Sequence, residues 1–182
     1  MDRSRLLRRL LPWVAVAALL VIVASAIQLA SGGSHQTPNA LASNRYLDPG
    51  TPLSGRAPDF TLTDQFGKLV SLRSFRGRAV ILAFNDSQCT TVCPLTTQAM
   101  VQAKRLLGPA GTGVQLLGVN ANPQATKVSD VRAYSSSHEM ISEWHFLTAP
   151  LAQLKRVWDA YHVRVEVAQD QVNHTQAVFM ID

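Results

Sequence analysis

The sequence predicts an α/β domain with a largely parallel core sheet and an N-terminal β-hairpin, preceded by one transmembrane helix. Three observations predict it. Strand-length apolar runs alternate with amphipathic stretches of about 10–15 residues, the order expected of a sheet covered by helices. Two of those runs, 79–84 (AVILAF) and 114–119 (VQLLGV), are nearly continuous in apolar character, as strands buried on both faces are. Near the N-terminus a cluster of arginines is followed directly by a long uncharged stretch.

Residues 1–10 form a basic segment in which Arg3, Arg5, Arg8 and Arg9 stand against Asp2, giving +3 of the formal +5 of the chain. The remainder nets only +2 and has no basic run to follow a phosphate backbone, which argues against nucleic acid as a partner. Residues 11–30 (LPWVAVAALLVIVASAIQLA) carry no charge. About 20 apolar residues suffice to span the ~30 Å hydrocarbon core, so this stretch reads as a single-pass membrane anchor. Pro12 falls in its first turn, where a missing N–H costs nothing. Arginines stay cytoplasmic, which places the following domain on the extracytoplasmic side of the cell membrane. A signal peptide, with Ala24-Ser25-Ala26 as a cleavage site, is the rival reading and leads to the same compartment.

Residues 31–56 are rich in Ser, Gly, Pro and Asn without hydrophobic periodicity, and read as a flexible linker. The domain is expected over 57–182. It begins with two alternating runs, 59–63 (DFTLT) and 68–72 (KLVSL), joined by the turn residues Asp64-Gln65-Phe66-Gly67. The first buried strand follows at 79–84. A helix is expected over 94–107, with Leu95, Ala99, Met100, Ala103, Leu106 and Leu107 on one face and Gly108 as its stop. Next come the strand 114–119, a weaker helix from Val128 to about His138, and a short strand over 144–147. A helix over 150–161 carries Leu151, Leu154, Val157, Trp158 and Tyr161 on one side, and 177–181 is the last strand. An apolar strand wants a neighbour to shield its edge, so the chain reads as a domain truncated at its C-terminal end.

Both cysteines of the chain, Cys89 and Cys93, lie between the first buried strand and the helix after it. In an oxidising compartment such a pair can form a disulfide, but closing so short a loop restricts the unfolded chain little. Chemistry is the better reason for the pair. Pro94 suits a first helical position, which puts Cys93 at the cap, where the positive end of the helix favours its thiolate. The two sulfurs are spaced to converge on one soft metal ion such as Cu(I), or to close into a disulfide. A third ligand would come from a distant loop, and His174, in the polar stretch 171–175 (QVNHT), is the candidate. His35, His138, His145 and His162 read as solvent or packing residues, and Met100 as core rather than a thioether ligand.

The motif Cys89-x-x-x-Cys93-Pro94 after a buried strand, with Asn173-His174-Thr175 before the last one, resembles the Sco/SenC family. Ala57-Pro58-Asp59-Phe60-Thr61-Leu62, Gly118-Val119-Asn120 and Trp158-x-x-Tyr161 support the resemblance, which covers 57–182. It implies a thioredoxin-like fold and one copper ion, as Cu(I) or Cu(II), bound by Cys89, Cys93 and His174. It also implies a metallochaperone rather than an enzyme, delivering copper to the cytochrome c oxidase subunit that carries the dinuclear copper centre. This chain departs from the family pattern at Thr91 and Asn173, where Asp is common. It departs again at 122–126 (NPQAT), which lacks two carboxylates. Asp86 is a nearby source of negative charge.

Two other functions compete. A membrane-anchored thiol–disulfide reductase would use the Cys89–Cys93 pair as a redox-active disulfide acting on cysteines of a partner or another copper protein. A peroxiredoxin-like peroxidase is more remote, because the position three residues before Cys89 holds Asp86 where that group places Thr. His174 discriminates the first two, since dithiol exchange needs no distant imidazole.

Overall fold

The computed structural model describes residues 50–169 and 171–182. The basic segment, the expected membrane anchor, His35 and most of the expected linker lie outside the described residues. Among the described residues no helix is long and apolar enough to cross a membrane. The chain divides into two units, 1–54 and 55–182, and the elements below belong to the second.

The hairpin forms as expected: β1 (Thr61–Thr63) pairs antiparallel with β2 (Leu69–Ser71). Its turn is held by Asp64, whose Oδ1 accepts from the backbone N–H groups of Phe66 (2.9 Å) and Lys68 (2.8 Å). Gly67 takes the positive φ of +80° that the turn requires. The hairpin is then locked to the far side of the domain by Gln65, which is fully buried. Its Nε2 donates to the carbonyls of Trp144 (2.8 Å) and Ile141 (3.2 Å), and its Oε1 accepts from Phe146 N–H (2.8 Å). Asp64 Oδ2 adds a 3.0 Å contact to His145 Nδ1.

Gln65→Ala is therefore expected to destabilise the fold, because the buried Phe146 N–H loses its acceptor. One unsatisfied buried group costs about 1–3 kcal/mol. A urea midpoint lowered at unchanged m-value is the expected result, and a midpoint equal to wild type would show that the lock contributes nothing.

The central sheet has the order β5-β4-β3-β8. β3 (Ala79–Asn85) and β4 (Val114–Asn120) are parallel in the register Ala79↔Val114 to Asn85↔Asn120, and β4 is parallel to β5 (Trp144–Leu147). β8 (Val178–Ile181) joins β3 antiparallel. The even positions of β3 (Val80, Leu82, Phe84) pack with Leu117 and Val119 against Leu154, Val157, Trp158 and Tyr161. Those last four residues belong to α3 (Leu151–Ala160) and its C-terminal cap. The opposite face is covered by α1 (Val92–Leu106) and α2 (Val128–Ser137), which bury Met100, Val101, Val131 and Tyr134 against Ala83, Leu116, Trp144 and Phe146. The result is three layers, helix on sheet on helix. Gly118 is required where the aromatics of β5 cross β4: a Cβ there would lie 2.6 Å from the Trp144 ring and 2.9 Å from that of Phe146.

Three expectations are corrected. α1 starts at Val92, two residues before Pro94. Pro94 is tolerated as its third residue because the first four helical N–H groups have no intrahelical partner. The buried face of α1 is Cys93, Thr97, Met100 and Val101, whereas Leu95 and Leu106 are 65% and 82% exposed. Packing Cys93 under the helix fixes its rotation and turns the leucines outward. Finally, the stretch before the last strand is a second hairpin, β6 (Val165–Ala168) with β7 (Gln171–His174), in the register Val165↔His174 to Ala168↔Gln171.

Candidate metal centre

The site lies at the C-terminal edge of β3 and β4, where parallel strands of an open sheet present their loops. β3 ends at Asn85, and the chain turns sharply as Cys89 N–H donates to the Asp86 carbonyl at 3.2 Å. Asp86 is buried, and its Oδ1 accepts from Gln88 N–H and from Asn122 Nδ2, both at 2.7 Å. Asn122 in turn accepts from the N–H groups of Gln124 (2.7 Å) and Ala125 (3.1 Å), while Asn120 Nδ2 donates to the Ala125 carbonyl at 2.7 Å. The cysteine loop and the loop after β4 are thus tied together by buried amides and one carboxylate.

Cys89 stands in the loop, partly exposed, and Cys93 in the first turn of α1, buried; both are free thiols. The N–H of Cys93 is one of the donors that a helix start leaves unpaired, and it donates to Cys89 Sγ at 3.4 Å. Thr91 Oγ1 lies 3.7 Å from the same sulfur. Burial opposes ionisation of Cys89, but hydrogen bonds from the backbone and side chains of Cys93 and Thr91 outweigh it and hold the thiol below its ordinary value. Cys93 goes the other way. Burial, and then the Cys89 side chain hydrogen-bonded to it, push its thiol up to about 12. The expectation that the helix start favours Cys93 as thiolate is therefore corrected: the helix start serves the sulfur that faces it from outside, which is Cys89.

The side chain of Asn85 donates to the Cys93 carbonyl at 3.3 Å, while among the described residues its Oδ1 and the Tyr134 hydroxyl, which lies near the Thr97 and Asn85 side chains, are buried without a well-aligned hydrogen-bond partner. Burial pushes the Tyr134 hydroxyl up to about 12. Neither Asn85 nor Tyr134 carried a sequence signal beyond ending an apolar run or lying on a helix face.

His174 closes the site from the second hairpin, as the last residue of β7. The hairpin base is pinned by Thr175 N–H to the Arg164 carbonyl (2.9 Å) and by Arg164 N–H to Thr175 Oγ1 (3.1 Å). His174 Nδ1 lies 3.0 Å from the Thr175 carbonyl, which only accepts, so Nδ1 carries the proton of the neutral ring and Nε2 presents a lone pair. That Nε2 is 3.7 Å from Cys93 Sγ, although the two residues are 81 apart in sequence, and 3.3 Å from the Gln176 side-chain amide. The fold thus brings His174 to Cys93, and Cys93 to Cys89. Among the described residues no group of three His, Cys, Asp or Glu side chains could hold a metal ion as it stands. The other described histidines stand elsewhere: His138 packs on Tyr134 (ring centroids 4.4 Å apart), His145 pairs with Asp64, and His162 is exposed just past α3.

The sequence profile of the SCO1/SenC family matches residues 51–182. The chain belongs to the SCO1/SenC family. Its SCO1 homologue from Bacillus subtilis is 24% identical over 140 residues, covering 71% of this chain and 70% of the relative. The mitochondrial SCO2 homologue of Bos taurus is 27% identical over 129 residues, covering 68% of this chain and 48% of the relative. This chain thus spans about half the length of the bovine protein. The structure of Bradyrhizobium japonicum ScoI with copper bound superposes with a TM-score of 0.62 at 23% identity, covering 70% of this chain and 83% of that one. These likenesses give the fold as the mixed α/β, thioredoxin-like fold of Sco proteins. Peroxiredoxin Q of Oryza sativa aligns more narrowly, 27% identical over 106 residues and 58% of this chain.

Proposed function

We propose that this protein binds one copper ion through Cys89, Cys93 and His174 and delivers it for assembly of the cytochrome c oxidase copper centre. The single observation that carries the reading is the placement of His174 Nε2, lone pair outward, 3.7 Å from Cys93 Sγ. Two thiolates and one imidazole form a soft, three-donor set suited to Cu(I) and within reach of Cu(II). Closing the three donors on one ion takes a side-chain adjustment, because Cys89 Sγ now accepts from the Cys93 N–H. The ionisations suggest an order of loading. Cys89, more exposed and more easily ionised, meets the ion first together with His174 Nε2; Cys93 yields its proton as the ion arrives.

In this reading residues 11–30 anchor the protein and 31–56 tether a copper-binding domain over 57–182 on the extracytoplasmic side. The recipient is the oxidase subunit with the dinuclear copper centre, or another copper protein there. The test is copper uptake by the purified full chain. Reduced protein is expected to hold one copper per chain and disulfide-bonded protein none, because oxidation removes both thiolates and leaves one imidazole. Equal uptake by the two forms would refute the proposal.

One observation favours a second reading. An accessible cysteine of lowered pKa beside a buried one of raised pKa is the arrangement of a dithiol that attacks a partner's disulfide and then resolves it. A thiol–disulfide reductase would use the same pair without His174.

A further inference from the structure

We infer that Gln176 is a fourth, valence-selective ligand, whose side-chain carbonyl oxygen completes the site for Cu(II) and takes no part in binding Cu(I). The inference rests on the copper reading above and concerns a residue outside the two-cysteine, one-histidine set.

Gln176 lies two residues after His174, between β7 and β8, and is exposed at the mouth of the site. Its terminal amide sits 3.3 Å from His174 Nε2, on the same nitrogen that stands 3.7 Å from Cys93 Sγ. Nδ1 is committed to the Thr175 carbonyl, so the amide N–H donates into the Nε2 lone pair. Gln176 therefore occupies the place a metal would enter. A metal on Nε2 must displace that N–H, and a sideways shift of the exposed side chain with half a turn about its last torsion would exchange nitrogen for oxygen. The oxygen would then be within reach of an ion held on Nε2.

The consequence depends on valence. Cu(I) is satisfied by few, soft donors, and a hard amide oxygen adds little to two thiolates and an imidazole. Cu(II) favours four donors in a tetragonal arrangement and accepts nitrogen and oxygen, with a glutamine oxygen serving as a weak axial ligand in other copper sites. Gln176 would thus hold Cu(II) in a site otherwise built for Cu(I). In the metal-free protein the same side chain keeps His174 in the required tautomer.

The test compares wild type, Gln176→Leu and Gln176→Glu as reduced full chains, measuring Cu(I) affinity against a competing chelator and recording the Cu(II) electron paramagnetic resonance spectrum and affinity. Gln176→Leu is expected to weaken Cu(II) binding by about tenfold and to change the hyperfine pattern, with Cu(I) affinity unchanged within about twofold. Gln176→Glu, which keeps an oxygen donor, is expected to restore Cu(II) binding. An unaltered Cu(II) spectrum and affinity in Gln176→Leu would overturn the inference while leaving the copper reading intact. Equal weakening of both valences would also overturn it, by showing that the amide only holds the histidine. If wild type bound copper in neither valence, inference and copper reading would fall together.

Discussion

His174→Ala is expected to weaken Cu(I) binding by more than about 100-fold, since even outer-shell partners of a metal ligand are worth 10–100-fold. Removing the imidazole leaves two thiolates, an incomplete set for a protein that must hold its ion in competition with other chelators. The cysteine pair is untouched by the change, and the Cys89–Cys93 disulfide should form and reduce as in wild type. Dithiol exchange on a small disulfide substrate should likewise proceed at the wild-type rate, because sulfur-to-sulfur transfer makes no use of the imidazole. The variant thus separates the two readings where Cys89→Ser and Cys93→Ser, which abolish both functions, do not. Its fold should survive, because His174 is the last residue of a peripheral hairpin that remains pinned by Thr175 and Arg164. Cu(I) affinity equal to wild type in His174→Ala would show that the hairpin does not reach the ion and would favour the reductase.

The central elements were legible because their physical signals are local. Continuous apolar runs marked β3 and β4, period-two alternation around Asp64–Gly67 marked the first hairpin, and 3.6-residue spacing marked α2 and α3 to within about a turn. The second hairpin was not legible, although it carries His174. Its strands are four residues each and mostly exposed, and its turn uses Gln169 at φ +50° where a glycine or asparagine would have announced it. The alternation Val165-Glu166-Val167 is too short to stand out and Val167 stays 45% exposed, so the hairpin's position is set by the backbone pairing Val165↔His174.

The cysteine pair was legible from spacing alone, and the chemistry of each sulfur was not. Spacing gives proximity to a helix start, but the favoured sulfur depends on where the unpaired N–H groups point. Two residues of difference in the start of α1 move Cys93 from cap to first turn and reverse the assignment. The same holds for partnerships across long loops. Asn122 and Asp86 read singly as a lost carboxylate and a loop residue, while their 2.7 Å contact makes them one support beneath the cysteine loop. Gln176 had no signal, since a lone glutamine before a strand is ordinary surface until its distance to His174 is known.

The inequality of the two thiols leads to the second large effect. In reduced, metal-free protein at pH 8, Cys89 is expected to react with iodoacetamide more than about tenfold faster than Cys93, because the thiolate is the reacting species and the greater nucleophilicity of a high-pKa thiolate offsets only part of the difference. A thiol held up at about 12 is ionised to only about one part in ten thousand at pH 8. Cys89, held below its ordinary value, is ionised to a far larger fraction. Access acts in the same direction, since Cys93 is 1% exposed. Timed quenching with mass spectrometry of the peptides reads both rates. The same shifts fix the sign of a stability effect. Cys93 has a folded value above its unfolded one, so its contribution is complete below about 9 and is lost as pH rises toward about 12. Cys89, lowered on folding, contributes above its ordinary range and loses that contribution as pH falls below its folded value. The reduced chain should therefore lose stability between pH 9 and 12 more steeply than Cys93→Ser, whose hydroxyl does not ionise there. Comparable alkylation rates for the two cysteines would mean that the Cys93 N–H does not favour the Cys89 thiolate and that Cys93 is not sealed beneath α1, and the loading order built on that asymmetry would fall with it.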